Sequence, residues 1–418
     1  MRPPAPPHPA PRPLRPTPHL PLPSLRRRHP LLSPSAAATP ADPADWERSP
    51  EWYGSQGGGW GRSAGTTVYA AASPAGNGTV TVTAHPASVA PLGPPTSTAE
   101  WRVLRFGEST RQSVALVDFG GRGAPTTAST AAPPVVARPA ALAFEYVKSV
   151  VACCAAALGG MPPPLLATAV RAGASGANPP TLSILVIGVG GGSVPLALAA
   201  LFPGAAVAGV DLCPAVLGAA GAMGLAAAAD ATPNLAVSLG DGVAALQAAP
   251  PGSVDLLVVD AFDGADAVPA SLAAAGRAGL AAAAAALHPA HGALVINLHA
   301  GPKPGPGDWF GRLGNSAPAP PTFVVRPDGT GPGAAALGTA QAWADALLAD
   351  PGGRGAAWLV GVRRQANVVA VVTRAGGSGG AAAAAAAATD AVARAVLALP
   401  YDVGDRAGYG YFDLAQGG

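Results

Sequence analysis

The sequence predicts an α/β fold: a mostly parallel sheet with helices on both faces, ending in an antiparallel hairpin and preceded by a small β-hairpin domain. Three observations predict it. From Thr181 onward, short apolar runs alternate with helix-like segments, the pattern of a parallel sheet with crossover helices. The first run, Ile184–Ile187, stops at the glycine turn Gly188–Ser193, and the second ends on Asp211. Near the C-terminus, Trp358–Arg363 and Asn367–Thr373 are separated by only a few residues. So short a link cannot make a right-handed crossover, so these two strands pair antiparallel.

Residues 1–41 contain no acid and six arginines, with dense proline. Such a leader resembles an organelle transit peptide, plastid favoured over mitochondrion. If the leader is only a disordered tail, the expectation becomes cytoplasmic. Residues 42–98 read as a low-complexity linker. They hold one hairpin candidate, Thr66–Ala71 and Thr79–Ala84, around an Asn-Gly turn signal. Residues 99–160 read as a small N-terminal unit. It has a second hairpin, Trp101–Phe106 and Gln112–Val117, and a helix over 140–158 with Leu142, Tyr146, Val150 and Cys153 on one face. Residues 120–138 read as a loose loop.

Residues 181–400 form the main domain. Strands are expected at 183–187, 206–211, 235–239, 254–259 and 293–298. Helices are expected at 194–201, 214–222, 242–248 and 271–287. The stretch 300–335 reads as a long Pro/Gly-rich loop, and 401–418 as an aromatic tail packing on the domain.

Composition narrows the function. Charged residues make up 11% of the 418, well below the roughly 25% of average proteins. The net charge is +2 and much of the positive charge lies in the leader, which argues against nucleic-acid binding. Apolar stretches are broken by Pro195 and Pro203 or carry Glu145 and Lys148, so no membrane span is expected. Cys153, Cys154 and Cys213 form no metal or disulfide pattern. His288 and His291 have metal-like spacing but fall at the opposite end of the sheet from the expected site. No metal is therefore expected.

In such a sheet, ligands bind beyond the C-terminal ends of the strands. Those ends carry, in order, the glycine turn, Asp211, Gly240-Asp241-Gly242, Asp260-Ala261-Phe262-Asp263, and Asn297-Leu298-His299. Three acidic ends stand out in an acid-poor chain. Glycines let backbone N–H groups approach a ligand. A carboxylate about 20 residues on can accept from both ribose hydroxyls. Asp211 and Asp241 also suit helix caps, and Asp260 and Asp263 could be solvated loop acids.

The motifs Val186–Ser193, Gly209-Val210-Asp211, Gly240-Asp241-Gly242 and Val258–Asp263 resemble the spermidine synthase-like branch of the class I S-adenosylmethionine-dependent methyltransferase superfamily. That superfamily has a Rossmann-like sheet closed by an antiparallel hairpin. Leu104–Ser113 is similar to the branch's N-terminal β-domain, and Ala143–Tyr146 to its following helix. The resemblance covers roughly residues 100–375. It implies that Gly188, Gly190 and Gly192 cradle the amino-acid part of S-adenosylmethionine or its decarboxylated form. It likewise implies that Asp211 holds the ribose, Asp241 meets the adenine and Gln112 lies near the transferred group. Asp260 matches the catalytic aspartate, and Asp263 keeps the D-x-x-D spacing. It also implies a homodimer and a small-molecule or protein acceptor.

Departures from the branch bear on the reaction. Gly191 stands where aminopropyltransferases carry an acid that faces the aminopropyl ammonium. Phe144-Glu145-Tyr146 replaces Tyr-Gln-Glu, and Asp260-Ala261-Phe262-Asp263-Gly264 replaces Asp-Ser-Ser-Asp-Pro. Loss of a carboxylate at 191 removes an ion pair for the ammonium and a repulsion against a ligand carboxylate. Both changes favour intact S-adenosylmethionine. The leading expectation is a methyltransferase acting on an amine or hydroxyl. The alternatives are a polyamine aminopropyltransferase and a non-catalytic nucleoside binder. A nicotinamide oxidoreductase fits less well, because Ser193 occupies the last glycine position of G-x-G-x-x-G.

Overall fold

The structure, a computed structural model, describes residues 65–76, 78–86, 99–107, 110–119, 135–139, 141–159, 182–262, 268–269, 271–272, 278–299, 334–348, 355–362, 367–374 and 411–413, with single positions 161, 165 and 169. The leader 1–41, Asp263, most of the 300–335 loop and most of the 401–418 tail lie outside these residues.

The N-terminal strands form one antiparallel sheet in the order β1-β2-β3-β4-β5. They are β1 (Thr66–Ala72), β2 (Thr79–Pro86), β3 (Ala99–Phe106), β4 (Thr110–Phe119) and β5 (Val135–Ala137). The two expected hairpins are thus continuous, because β2 pairs with β3 from Val80↔Phe106 to Pro86↔Glu100. The β3–β4 register jumps: Leu104 faces Ser113, but Arg105 faces Arg111. Gln112 is the extra residue of this bulge, a device that frees a backbone group from the ladder and re-aims the strand.

The main sheet has eight strands in the order β13-β11-β12-β10-β9-β6-β7-β8. They are β6 (Leu182–Ile187), β7 (Ala205–Asp211), β8 (Leu235–Leu239), β9 (Leu256–Val259), β10 (Ala293–His299), β11 (Ala356–Gly361), β12 (Asn367–Thr373) and β13 (Tyr411–Asp413). Strands β6 to β10 run parallel, while β12, β11 and β13 pair antiparallel. This is the expected α/β arrangement, parallel strands with a terminal hairpin. The strands are apolar on both faces because helices cover both.

Alternation divides the core in two. Ile184, Val186, Leu256 and Val258 join α1 (Glu145–Gly159), α2 (Ser193–Leu201), α3 (Pro214–Ala222), α4 (Leu225–Asp230) and the N-terminal sheet in one cluster. Leu185, Ile187, Leu257 and Val259 join α5 (Gly242–Ala248), α6 (Ala278–Ala286) and α7 (Ala334–Leu348) in the other.

Several elements depart from the expected bounds. The helix expected at 140–158 begins at Glu145. The helix expected at 271–287 is shorter, since 271–272 lie in a turn with Leu272 N–H donating to the Pro269 carbonyl. A Cβ on Gly279 would sit 2.4 Å from the Ser271 carbonyl oxygen, a fold-back that a continuous helix forbids. Val254 makes an isolated bridge to Leu287 ahead of β9. Strands β5 and β13 and helices α4 and α7 arise in stretches that carried no such expectation.

Among the described residues no helix is long and apolar enough to cross a membrane. His291 and His288 stack at 3.6 Å between ring centres. His291 Nε2 lies 2.7 Å from Asp255 Oδ1, and Asp255 Oδ2 accepts from Ser183 N–H. These residues pin the start of β9 to its neighbours, at the end of the sheet remote from the glycine turn.

Candidate functional site

The site forms where β6, β7, β9, β10 and β12 meet the N-terminal sheet. Gly188, Gly190 and Gly192 all take positive φ, at 90°, 53° and 87°, a region that L side chains resist. Their surroundings differ. A Cβ on Gly188 would lie 2.2 Å from the Asp260 carbonyl oxygen, and one on Gly192 would lie 2.7 Å from Leu225. A Cβ on Gly191 would lie 2.4 Å from Ser113 Oγ on β4. Packing therefore accounts for these three glycines. A Cβ on Gly190 would meet nothing within 4 Å, so Gly190 borders open space.

Asp211, at the tip of β7, binds the turn. Its Oδ2 accepts from Val189 N–H at 3.0 Å and Gly190 N–H at 3.3 Å, and its Oδ1 accepts from Cys213 N–H at 2.9 Å. Burial pushes its pKa up, and the three backbone bonds oppose that rise. Asp211 faces Leu239 across the β7–β8 ladder. Leu239 and Leu212 are 57% and 61% exposed, which puts two bare apolar side chains beside the carboxylate. Asp241 caps α5, its Oδ1 accepting from Ala244 N–H at 2.8 Å.

Asp260 follows β9. Asn297 Nδ2, from β10, donates to its Oδ1 at 2.8 Å, and Asn367 Nδ2, from β12, donates to Asn297 Oδ1 at 3.0 Å. Asn297 is fully buried. Burial pushes the Asp260 carboxyl up to about 6, and the Asn297 bond works against that rise. A carboxylate poised near neutrality suits a general base.

The N-terminal elements close over this centre. The Tyr146 hydroxyl donates to the Gln112 carbonyl at 2.7 Å, the carbonyl that the bulge frees from the ladder. Burial, and then the nearby Asp260 charge, hold the Tyr146 hydroxyl well above its ordinary pKa, so it stays a neutral donor. Ser113 Oγ lies 3.3 Å from Ser193 Oγ at the start of α2, linking β4 to the turn. His299 packs its ring edge on Phe262 at 4.9 Å.

The structure thus gathers the turn glycines, Asp211, Asp260 and the Gln112 backbone. Asp241 is exposed and caps α5, next to Gly240, whose N–H donates to the Asp211 carbonyl at 2.9 Å, and Asp263 lies outside the described residues. Sequence reasoning gave no role to Tyr146, Asn297 or Asn367. The legible signal was Asn297, an amide inside the otherwise apolar run Ala293–Leu298. Among the described residues, no group of three or more His, Cys, Asp or Glu side chains gathers as metal ligands.

No protein-family model and no curated protein matches the sequence. Solved structures do. A probable spermidine synthase from Corynebacterium glutamicum is 13% identical, with 84% of this chain and 91% of that one covered and a TM-score of 0.46. Human methyltransferase-like protein 13, solved with S-adenosylhomocysteine (SAH), is 16% identical over 61% and 93%, with a TM-score of 0.36. A spermidine synthase bound to the transition-state analogue AdoDATO is 9% identical over 74% of each chain, also with a TM-score of 0.36. The likeness is one of fold.

Proposed function

We propose that this chain is an S-adenosylmethionine-dependent methyltransferase that acts on an amine or hydroxyl. The observation that carries the proposal is Asp260, a carboxyl with pKa about 6. It backs directly onto Gly188 of a turn that Asp211 holds in shape.

The residues fit such a cofactor. Gly190 borders open space at positive φ, which leaves room for a polar ligand group beside the turn while its own N–H is held by Asp211. Asp211 Oδ1 keeps an acceptor lone pair beyond its bond to Cys213, suited to a ribose hydroxyl. The exposed Leu212 and Leu239 flank that carboxylate and suit the faces of a flat base. When bound, the cofactor supplies an electrophilic methyl carbon on a sulfonium. Methyl transfer then needs in-line positioning and a base. Asp260 takes the acceptor's proton, Asn297 and Asn367 fix its carboxyl plane, and Tyr146 ties β4 over the centre.

With no carboxylate at 191, the turn does not repel the cofactor's own carboxylate. Packing against Ser113 also accounts for this glycine, so the choice between methyl and aminopropyl transfer falls to experiment. The full chain is titrated calorimetrically with S-adenosylmethionine, its decarboxylated form and NAD. Tighter binding of the intact sulfonium is the expected result. Preference for the decarboxylated form replaces methyl with aminopropyl transfer, and binding of NAD alone overturns the reading.

A further inference from the structure

Two ring pairs stand beside Asp260. Strand alternation puts Asn297 and His299 on one face of β10, the face that carries Ala293 and Val295 into the cluster shared with α1. His299 stands opposite Asn367 in the β10–β12 ladder, two residues further out than the amide that holds Asp260. Its ring meets Phe262 edge-on, with 4.9 Å between centres, and Phe262 follows Asp260 by two residues. Helix α1 lies over that face, against β9, β10 and β12. In its first turn, Tyr146 stacks on Phe144 at 5.6 Å, and the Asp260 charge reaches the Tyr146 hydroxyl.

Phe262, His299 and Tyr146 are each half-buried, whereas Phe144 is buried. Aromatic residues make up only 5% of the chain, so composition alone does not bring these rings to one carboxylate. A cation already faces the stacked pair, since the Arg111 guanidinium lies 5.6 Å from the centre of the Phe144 ring. The ring surface left beside Asp260 suits a flat neutral ring, offset-stacked or edge-on. Acidity narrows the class further. The Asp260 carboxyl lies at about 6. An aryl hydroxyl such as that of tyrosine ionises near about 10, whereas an alkyl hydroxyl resembles water, at about 15.7. Proton transfer to Asp260 is uphill by about four pH units for the aryl group and about ten for the alkyl group.

We propose that the acceptor is an aryl hydroxyl whose ring lies between Phe262 and Tyr146 with its oxygen at Asp260, and that Phe262 selects the ring. The proposal rests on the methyltransferase reading for its chemistry, while the preference for a ring is measurable by itself. The aryl oxygen attacks the methyl carbon of the sulfonium. A C–O bond forms as the C–S bond breaks, the C–S electron pair stays on sulfur as the neutral thioether of SAH, and Asp260 takes the hydroxyl proton.

The full chain is titrated calorimetrically with 2-naphthol, decahydro-2-naphthol and 1,4-diaminobutane, with and without SAH. The first two share a carbon skeleton and a hydroxyl, and the saturated one is at least as apolar, so burial alone does not favour the aryl probe. 2-Naphthol is expected to bind at least tenfold tighter than either of the others. Phe262→Leu keeps apolar bulk without the ring. It should weaken 2-naphthol at least fivefold and leave decahydro-2-naphthol and SAH unchanged, and Phe262→Trp should keep 2-naphthol bound. Equal binding of the two naphthols, tighter binding of the diamine, binding of no probe, or 2-naphthol affinity unchanged in Phe262→Leu overturns the proposal. If Phe262→Leu does not fold, the three probes on the unaltered chain decide it. Failure of SAH to bind while 2-naphthol is still preferred counts against the transferase reading and leaves the ring site standing.

Discussion

Asn297 donates its side-chain amide to Asp260 at 2.8 Å from a fully buried position on β10. Two opposed effects meet there. Burial favours the protonated carboxyl, and the amide bond favours the carboxylate. The balance, near pH 6, keeps Asp260 ionised at neutral pH yet basic enough to accept a proton.

Asn297→Leu removes the donor at similar volume. The pH–rate profile should keep its rising limb, with the midpoint moving up from about 6. The expected move is about one unit, the worth of one hydrogen bond to a charged group. Asn367→Leu loosens Asn297 without touching Asp260, and should move the midpoint less. An unmoved midpoint in Asn297→Leu would remove this amide from the control of the base.

Asp260→Asn should stabilise the protein above pH 7 while abolishing turnover. The folded pKa, about 6, exceeds the ordinary 3.8, so the fold prefers the proton. The stability this provides is complete below about pH 4 and lost as pH rises through about 6. An uncharged amide escapes that loss, by on the order of 3 kcal/mol at pH 8. Urea unfolding at pH 4 and pH 8 checks it: the variant should gain on the wild type only at the higher pH.

Asp211→Ala should cost both stability and nucleoside affinity. Three backbone N–H groups lose their acceptor, at about 1 kcal/mol each or less where water replaces it. A fall of about 2 kcal/mol in urea unfolding is expected. Calorimetry with S-adenosylmethionine should show at least a tenfold loss. If affinity is intact while stability falls, Asp211 serves only the turn.

The turn glycines should separate by role. Gly188→Ala places a methyl 2.2 Å from the Asp260 carbonyl oxygen at φ 90°, and strain plus overlap should cost about 3 kcal/mol. Gly190→Ala meets open space at φ 53° and should cost about 1 kcal/mol. Its larger effect should be on cofactor affinity. Thermal melts and calorimetry on both variants test the contrast.

The alternation of strands and helices was legible because apolar runs and their acidic tips repeat along the chain, as at Ile184–Asp211. The hairpin of β11 and β12 was legible from its short link alone. The relay Asn367–Asn297–Asp260 was not, since it joins side chains 37 and 70 residues apart and nothing local marks such pairs. The bulge at Gln112 was equally hidden, because register is a property of two strands. Gly191 carries two readings at once. Read along the chain it suggests ligand choice, and in space its hydrogen-only side faces Ser113 of β4, a packing role that no pattern in the chain announces.

Asp241 poses the sharpest choice between a structural and a ligand-binding role. Its Oδ1 holds Ala244 N–H at 2.8 Å on the exposed side of α5, which is ordinary helix capping. Asp241→Ala should therefore cost about 1 kcal/mol in urea unfolding. Asp241→Ser keeps a cap but loses the carboxylate, and should restore most of that stability. Calorimetry with S-adenosylmethionine then separates the roles. If Asp241 also meets the adenine amino group, affinity falls in both variants. If it only caps the helix, affinity follows stability and returns with serine. The second outcome would leave Asp211 as the principal carboxylate for the nucleoside and shift recognition of the base toward Leu212 and Leu239.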